Sequence, residues 1–269
     1  MKKSVVQEKS RGVLLFAFNT NDIDYIEIAR QSARLIHQTL NLPVTLVTDL
    51  VIDSDIFDSV VYTTNILSNV KPGKGTNWRN GGRYQAYELS PYKETLLIDS
   101  DYLMLDRSLL KLFDQEFDYR IMTHNSSQDG IWPDRMGPYG LPYQWATSIL
   151  FRKTSKAEML FDLVSRIQRN YVYYLNLYHI KYGSFRNDYA FTIANNILNG
   201  YDQGMDQGIP WPMLTFTDVV ESMTIKNDMV ILKGKTKAFV LPKMNIHIMD
   251  KEYLLSDDFS NFVSDVCIE

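Results

Sequence analysis

The run Glu94-Thr95-Leu96-Leu97-Ile98-Asp99-Ser100-Asp101-Tyr102-Leu103-Met104-Leu105 decides the reading of this chain. Its apolar residues predict a short buried strand that stops on two acids, one residue apart, before hydrophobic residues resume. Open α/β sheets hold ligands at the carboxyl ends of their strands, and two carboxylates there offer hard oxygen ligands to a divalent cation. The pattern alone is weak. At this aspartate content about two Asp-x-Asp pairs arise by chance, and the chain has them at Asp22/Asp24, Asp53/Asp55 and Asp99/Asp101. The first pair opens a helix and the second sits in a polar connection, where capping and turn roles are ordinary. Only Asp99/Asp101 follow an apolar strand.

Upstream, Val13-Leu14-Leu15-Phe16-Ala17-Phe18 reads as a buried strand, and Asn19-Thr20-Asn21-Asp22 as turn and N-cap residues. The helix that follows carries Ile26, Ala29, Ala33, Ile36 and Leu40 on one face. Pro43 ends it, and residues 44–48 read as a second strand, so a right-handed parallel crossover is expected. A third strand is expected at Val60-Val61-Tyr62, then a mobile, basic loop over residues 71–77 and a helix over 79–89. Arg83 on that helix is either an exposed arginine or a guanidinium placed to meet a diphosphate or one of the acids.

Downstream, residues 119–123 and 145–151 read as strands. Between them Trp132, Tyr139 and Tyr143, with Trp145 beyond, either offer flat faces to a sugar or base or pin the connection to the core. Thr147 and Ser148 are small where larger groups would fill space. Ser155 and Glu158 form a capping-box signal for a helix through Ile167. Another helix opens at Asn187-Asp188, where Asp188 is a first-turn cap or a carboxylate presented to a substrate. Short strands are expected at 229–232 and 238–241. His247, between Ile246 and Ile248, projects from the opposite strand face to both; a lone histidine is usually structural.

The composition is that of one globular domain, with 45% hydrophobic and 22% charged residues over 269 positions. A net charge of -4 gives no global attraction to nucleic acid or anionic membranes. The single cysteine, Cys267, excludes an internal disulfide and a cysteine-based zinc cluster. With no apolar run long enough for a membrane span and no signal-peptide core, a cytoplasmic setting is expected. There is no G-x-S-x-G elbow, P-loop, post-strand G-x-G-x-x-G or H-E-x-x-H.

In order along residues 12–251, the chain resembles the GT-A glycosyltransferases, the nucleotide-diphospho-sugar transferase superfamily. The matching pieces are Phe16-Ala17-Phe18-Asn19, the long helix leading to Leu42-Pro43-Val44-Thr45-Leu46-Val47-Thr48-Asp49, and Arg83 ahead of Leu89-Ser90-Pro91-Tyr92. They continue with the Asp99/Asp101 stretch, Asn187-Asp188 opening a helix, and a late histidine followed by lysine. The resemblance implies one domain, 1–269, built as an α/β/α sandwich on a mostly parallel, Rossmann-like sheet. A nucleotide-sugar part would cover about 12–105, an acceptor and sugar part about 106–251, and a tail 252–269.

It implies Asp101 and Asp99 on Mn2+ or Mg2+ at the donor diphosphate, with His247 as third ligand; an imidazole among oxygens favours Mn2+. Ala17, Phe18 and Asn19 would line the nucleotide pocket, with Asp49 near the base or ribose. Arg83, Ser100 and Lys251 would also meet the donor, and Asp188 would touch its sugar or serve as catalytic base. The spacer Ile248-Met249-Asp250 departs from the family's usual glycine-containing one. The implied function is metal-dependent hexosyl or pentosyl transfer from a UDP- or GDP-sugar. The acceptor is left open among glycan, protein, small molecule and modified nucleobase. The alternatives are a nucleotidyltransferase, which would usually carry a Gly-rich turn where Asn19-Thr20-Asn21 stands, and a non-catalytic nucleotide-sugar-binding module.

Overall fold

The computed structural model describes residues 9–53, 55–65, 69–70, 77–181, 183–202, 208–235 and 237–268. Its first half runs Lys9–Phe16 (β1), Tyr25–Leu40 (α1), Val44–Thr48 (β2), Ser59–Tyr62 (β3), Asn69–Val70 (β4) and Asn77–Trp78 (β5). A 3-10 turn at Gly81–Gln85 leads to Ala86–Leu89 (α2), Tyr92–Ile98 (β6), Tyr102–Leu103 (β7), Leu110–Phe113 (α3) and Tyr119–Met122 (β8). Four short strands follow, Asn125–Ser127 (β9), Gly130–Ile131 (β10), Arg135–Met136 (β11) and Leu141–Pro142 (β12), then Trp145–Arg152 (β13). Three helices come next, Ser155–Arg169 (α4), Tyr171–Leu177 (α5) and Asn187–Leu198 (α6), followed by Gly208–Ile209 (β14) and Met213–Phe216 (β15). The chain closes with Val220–Lys226 (β16), Met229–Gly234 (β17), Ala238–Pro242 (β18), Ile246–Ile248 (β19), Lys251–Leu254 (α7) and Asp257–Ile268 (α8).

The main sheet has seven strands in the order β14-β8-β13-β6-β1-β2-β3. Only β13 runs against the others, so the expected mixed, mostly parallel α/β sheet is the one observed. Consecutive residues Val13, Leu14 and Leu15 in β1, and Leu96 and Leu97 in β6, are fully buried. Burial of both alternating sets means that both faces of the sheet are covered.

Helix α1 follows the predicted face, but its cap is Asp24, whose Oδ1 accepts the Glu27 N–H at 3.0 Å. The cap does not fall within 19–22 because the Asn19 and Thr20 side chains already accept the N–H groups of Ile26 and Ile23. A second apolar face of α1, with Ile28 and Leu35, packs in a separate core with Phe259, Phe262 and Val263 of α8. Each of these three buried side chains contributes about 1.5–3 kcal/mol by transfer from water, so Asp257–Ile268 is a docked helix.

Other boundaries also move. Strand β1 starts at Lys9 and ends before Ala17. The expected helix over 79–89 is a 3-10 turn followed by one α-helical turn; Gly81 and Gly82 weaken an α start there. Thr154, not Ser155, caps α4, with an extended backbone and Oγ1 accepting from the Ala157 N–H. Of the expected loop over 71–77, residues 71–76 lie outside the described residues.

A second sheet, β10-β9-β15-β19-β7, positions the site. Strand β7 begins immediately after Asp101 and pairs antiparallel with β19, His247 opposite Tyr102. The Asp101 carbonyl accepts the Ile248 N–H at 2.9 Å. These pairings carry a residue from the far end of the chain to the acidic turn.

Candidate active site and metal centre

Parallel pairing of β1, β2 and β6 puts Asn19, Asp49 and Asp99 on one edge of the main sheet. Ala17 and Phe18, 1% and 5% exposed, belong to the core, and the Ala17 N–H donates to the Val47 carbonyl at 3.1 Å. Arg79 closes this edge. Its guanidinium donates to the Asn19 carbonyl at 2.9 Å and to Asp49 Oδ2 at 2.8 Å, while Asp49 Oδ1 is buried without a hydrogen-bond partner. Nothing in the local sequence marks Arg79, because its partners lie 60 and 30 positions away.

The turn that follows is fastened from two more sides. Asn187 Nδ2 donates to the Asn80 carbonyl, and Gln168 Nε2 to the Gly81 carbonyl. Arg83 is held within it, 3% exposed, and its Nη1 donates to Asp99 Oδ1. Of the two sequence readings, the exposed helix arginine is excluded. Its Nε and Nη2 are buried with no protein partner, an arrangement that costs free energy until an acceptor arrives.

Asp99 N–H donates to the Thr147 carbonyl, so β13 supports the acidic turn from the other side, with Ser148 fully buried and Ser100 nearly so. Asp101 lies between two basic groups. Lys251 Nζ pairs with Oδ2 and also donates to the Ile248 carbonyl; His247 Nε2 lies 3.4 Å from Oδ1. Burial would raise the Asp101 carboxyl, but Lys251 and His247 outweigh it and hold the group well below the usual carboxylate range. Burial raises Asp99, against the pull of Arg83 and with the help of the Asp101 charge. Tyr25, the residue after the α1 cap, is pushed up to about 12 by burial and by both acids, so it faces them as a neutral hydroxyl.

One oxygen of Asp99, one of Asp101 and a ring nitrogen of His247 lie within 4.8 Å of one another. Asp101 Oδ1 is buried and accepts no hydrogen bond. Two hard oxygens and an imidazole around an unsatisfied carboxylate oxygen fit a divalent cation of the Mn2+ or Mg2+ type.

Asp188 does not act as a side-chain cap of α6. Its Oδ1 accepts the Ala146 N–H of β13 at 3.0 Å, and its Oδ2 pairs with Arg186 at 3.0 Å. The favoured capping role is thus replaced by a link between α6 and the strand beside the acidic turn. Among the aromatic residues, Tyr143 and Trp145 are buried against each other and pin the connection. Tyr139 is 60% exposed and, with His179 and Tyr189, lines a surface cavity of about 630 Å³. Asn245, two residues before His247, is buried, and its Oδ1 accepts the N–H groups of Leu105 and Asp106.

The sequence matches no protein-family model and no curated protein. Solved structures do match. The glycosyltransferase GlyE of Streptococcus pneumoniae TIGR4 is similar at 13% identity and a TM-score of 0.43, over 75% of this chain and 45% of that one. The galactosyltransferase LgtC, solved with donor and acceptor sugar analogs, is similar at 12% and 0.45, over 77% and 73%. A putative glucose-1-phosphate thymidylyltransferase from Bacillus anthracis is similar at 9% and 0.37, over 74% and 100%. This chain spans less than half the length of GlyE. Both glycosyltransferases and a nucleotidyltransferase are thus among the structures this chain is similar to. Among the described residues no helix is long and apolar enough to cross a membrane.

Proposed function

We propose that this chain is a metal-dependent glycosyltransferase that moves a sugar from a nucleotide-diphosphate donor, UDP- or GDP-linked, to an acceptor hydroxyl or amine. The observation that carries the reading is the buried, unsatisfied Asp101 Oδ1 facing His247 Nε2, with Arg83 presenting two donor nitrogens without a protein partner beside Asp99. Asp99, Asp101 and His247 would hold Mn2+ or Mg2+, which supplies Lewis-acid stabilisation of charge on a departing diphosphate.

The remaining residues act around that charge. Without a cation the two carboxylates are already balanced by Arg83 and Lys251. A dication adds positive charge that an anionic ligand would offset, so a diphosphate should tighten metal binding. Arg83, with fixed planar donors, suits phosphate oxygens or sugar hydroxyls; Lys251 can turn from Asp101 to the diphosphate as a point charge. The free Asp49 Oδ1 suits a ribose hydroxyl or base N–H. Asp188, fixed by Ala146 and Arg186, is assigned to the donor sugar rather than to a freely swinging base. The alternatives of nucleotidyl transfer and of binding without turnover share this cation site.

Calorimetry of UDP and GDP with Mn2+ and with chelator, coupled to an assay of nucleoside-diphosphate release across sugar donors, tests the proposal. Tight binding only with metal, and slow release from one donor, are expected. Binding that ignores the chelator overturns the metal-bridged donor. Turnover of a nucleoside triphosphate with pyrophosphate release moves the chain to the nucleotidyltransferases. Binding without any turnover leaves a binding module.

A further inference from the structure

Three residues on neighbouring strands of the second sheet form a hydrogen-bonded row that ends at the cation site. Asn125 lies on β9, Thr215 on β15 and His247 on β19, with Thr215 directly opposite His247 in the parallel register. Asn125 and Thr215 are 2% and 1% exposed, so no solvent competes for their polar atoms. Thr215 Oγ1 donates to Asn125 Oδ1 at 2.9 Å and lies 3.3 Å from His247 Nδ1.

A hydroxyl has one proton to donate and lone pairs to accept with. With its proton committed to Asn125, the Thr215 oxygen can only accept from His247, which places the ring proton on Nδ1. In the neutral ring Nε2 then carries a lone pair 3.4 Å from Asp101 Oδ1, which accepts no hydrogen bond; in the charged ring Nε2 holds a second proton. Such a pair of acceptors is met by a proton on Nε2 or by a metal ion in its place.

We infer that Thr215, oriented by Asn125, is a positioning residue that fixes His247 in the Nδ1–H tautomer and so readies Nε2 as a metal ligand. The inference rests on the metal site of the proposed function. Neither residue touches donor or metal. They act through the ring, as outer-shell partners of metal-bound histidines generally do, and removing such a partner typically lowers metal affinity about 10- to 100-fold. Sequence reading had no access to this row: Asn125 and Thr215 are 90 positions apart, and Thr215 and His247 are separated by 32.

The test is calorimetric titration of Mn2+ into the metal-free chain, with no nucleotide and no turnover in the readout. Thr215→Val keeps the volume and removes the hydroxyl; its affinity should fall by about 10- to 100-fold. Thr215→Ser restores the hydroxyl and should recover most of the loss, which simple repacking of a buried threonine would not do. Asn125→Ala frees the Thr215 proton to turn toward Nδ1 and should lower affinity in the same direction by less; it also serves should Thr215→Val not fold. Wild-type binding that Thr215→Val leaves within twofold, or a Thr215→Ser variant as weak as Thr215→Val, overturns the row alone. A wild-type chain that takes up no Mn2+ overturns the metal site and the row with it.

Discussion

Asp24 and Asp101 are each the second acid of an Asp-x-Asp pair, and each stands at the start of the next element. Asp24 is exposed, and its carboxylate accepts the Glu27 N–H in the first turn of α1. Asp101 is 9% exposed and meets Lys251 and His247, some 150 residues further along the chain. One carboxylate is satisfied by local backbone three residues on; the other needs two side chains from one distant segment and keeps an oxygen free. The pairs also meet, because the helix that Asp24 caps presents Tyr25 to Asp99 and Asp101. What separates a structural acid from a chemical one here is the supply of remote cations and the absence of a donor on Oδ1.

The largest effect that would break this contrast is at Asp101. Asp101→Asn keeps the shape and removes the charge, and should lower nucleoside-diphosphate release by about 10³-fold, the scale of several kcal/mol of lost charge stabilisation. Circular dichroism and a cooperative melt should show a folded chain. Release within tenfold of wild type would place the chemistry elsewhere.

Next is Arg83. Lysine keeps the charge but loses the planar fork that holds Asp99 while leaving Nε and Nη2 free. Arg83→Lys should raise KM for the donor and cut kcat/KM by about 10- to 100-fold, corresponding to one or two charge-assisted hydrogen bonds. An unchanged kcat/KM would reduce Arg83 to a charge-balancing role.

The half of the site built on long, periodic elements was legible in the sequence. An apolar stripe of about four turns and unbroken aliphatic runs leave few alternatives for α1, β2 and β6, and parallel pairing then brings Asp49 and Asp99 to one edge. The second sheet was not legible, because β7, β9, β10 and β19 are two or three residues long and such runs show no alternation. His247 was therefore placed on a strand by its neighbours, but its approach to Asp101 came only from resemblance. The capping signals erred for a related reason: Thr154 and Ser155 are both N-cap residue types, Ser155 alone has an acid three residues on, and yet the extended backbone at Thr154 makes Thr154 the cap. Asp188 shows the same limit, since its partner Ala146 is on another element.

The smallest effects sharpen the contrast from the structural side. Asp24→Ala removes an N-cap and should destabilise the chain by about 1 kcal/mol, read as a lower urea midpoint at unchanged slope. Mn2+ affinity should stay within twofold, because the cap touches no ligand of the site. Were metal affinity to fall tenfold with this variant, Tyr25 would be the route, and Asp24 would act on the site through the α1 start. Asp53→Ala is the control at the third pair: Asp53 is exposed in an irregular connection, so stability should change by less than about 0.5 kcal/mol and metal binding not at all. A measurable loss of Mn2+ at Asp53 would mean that surface charge alone recruits the cation, and the buried geometry at Asp101 would lose its special standing.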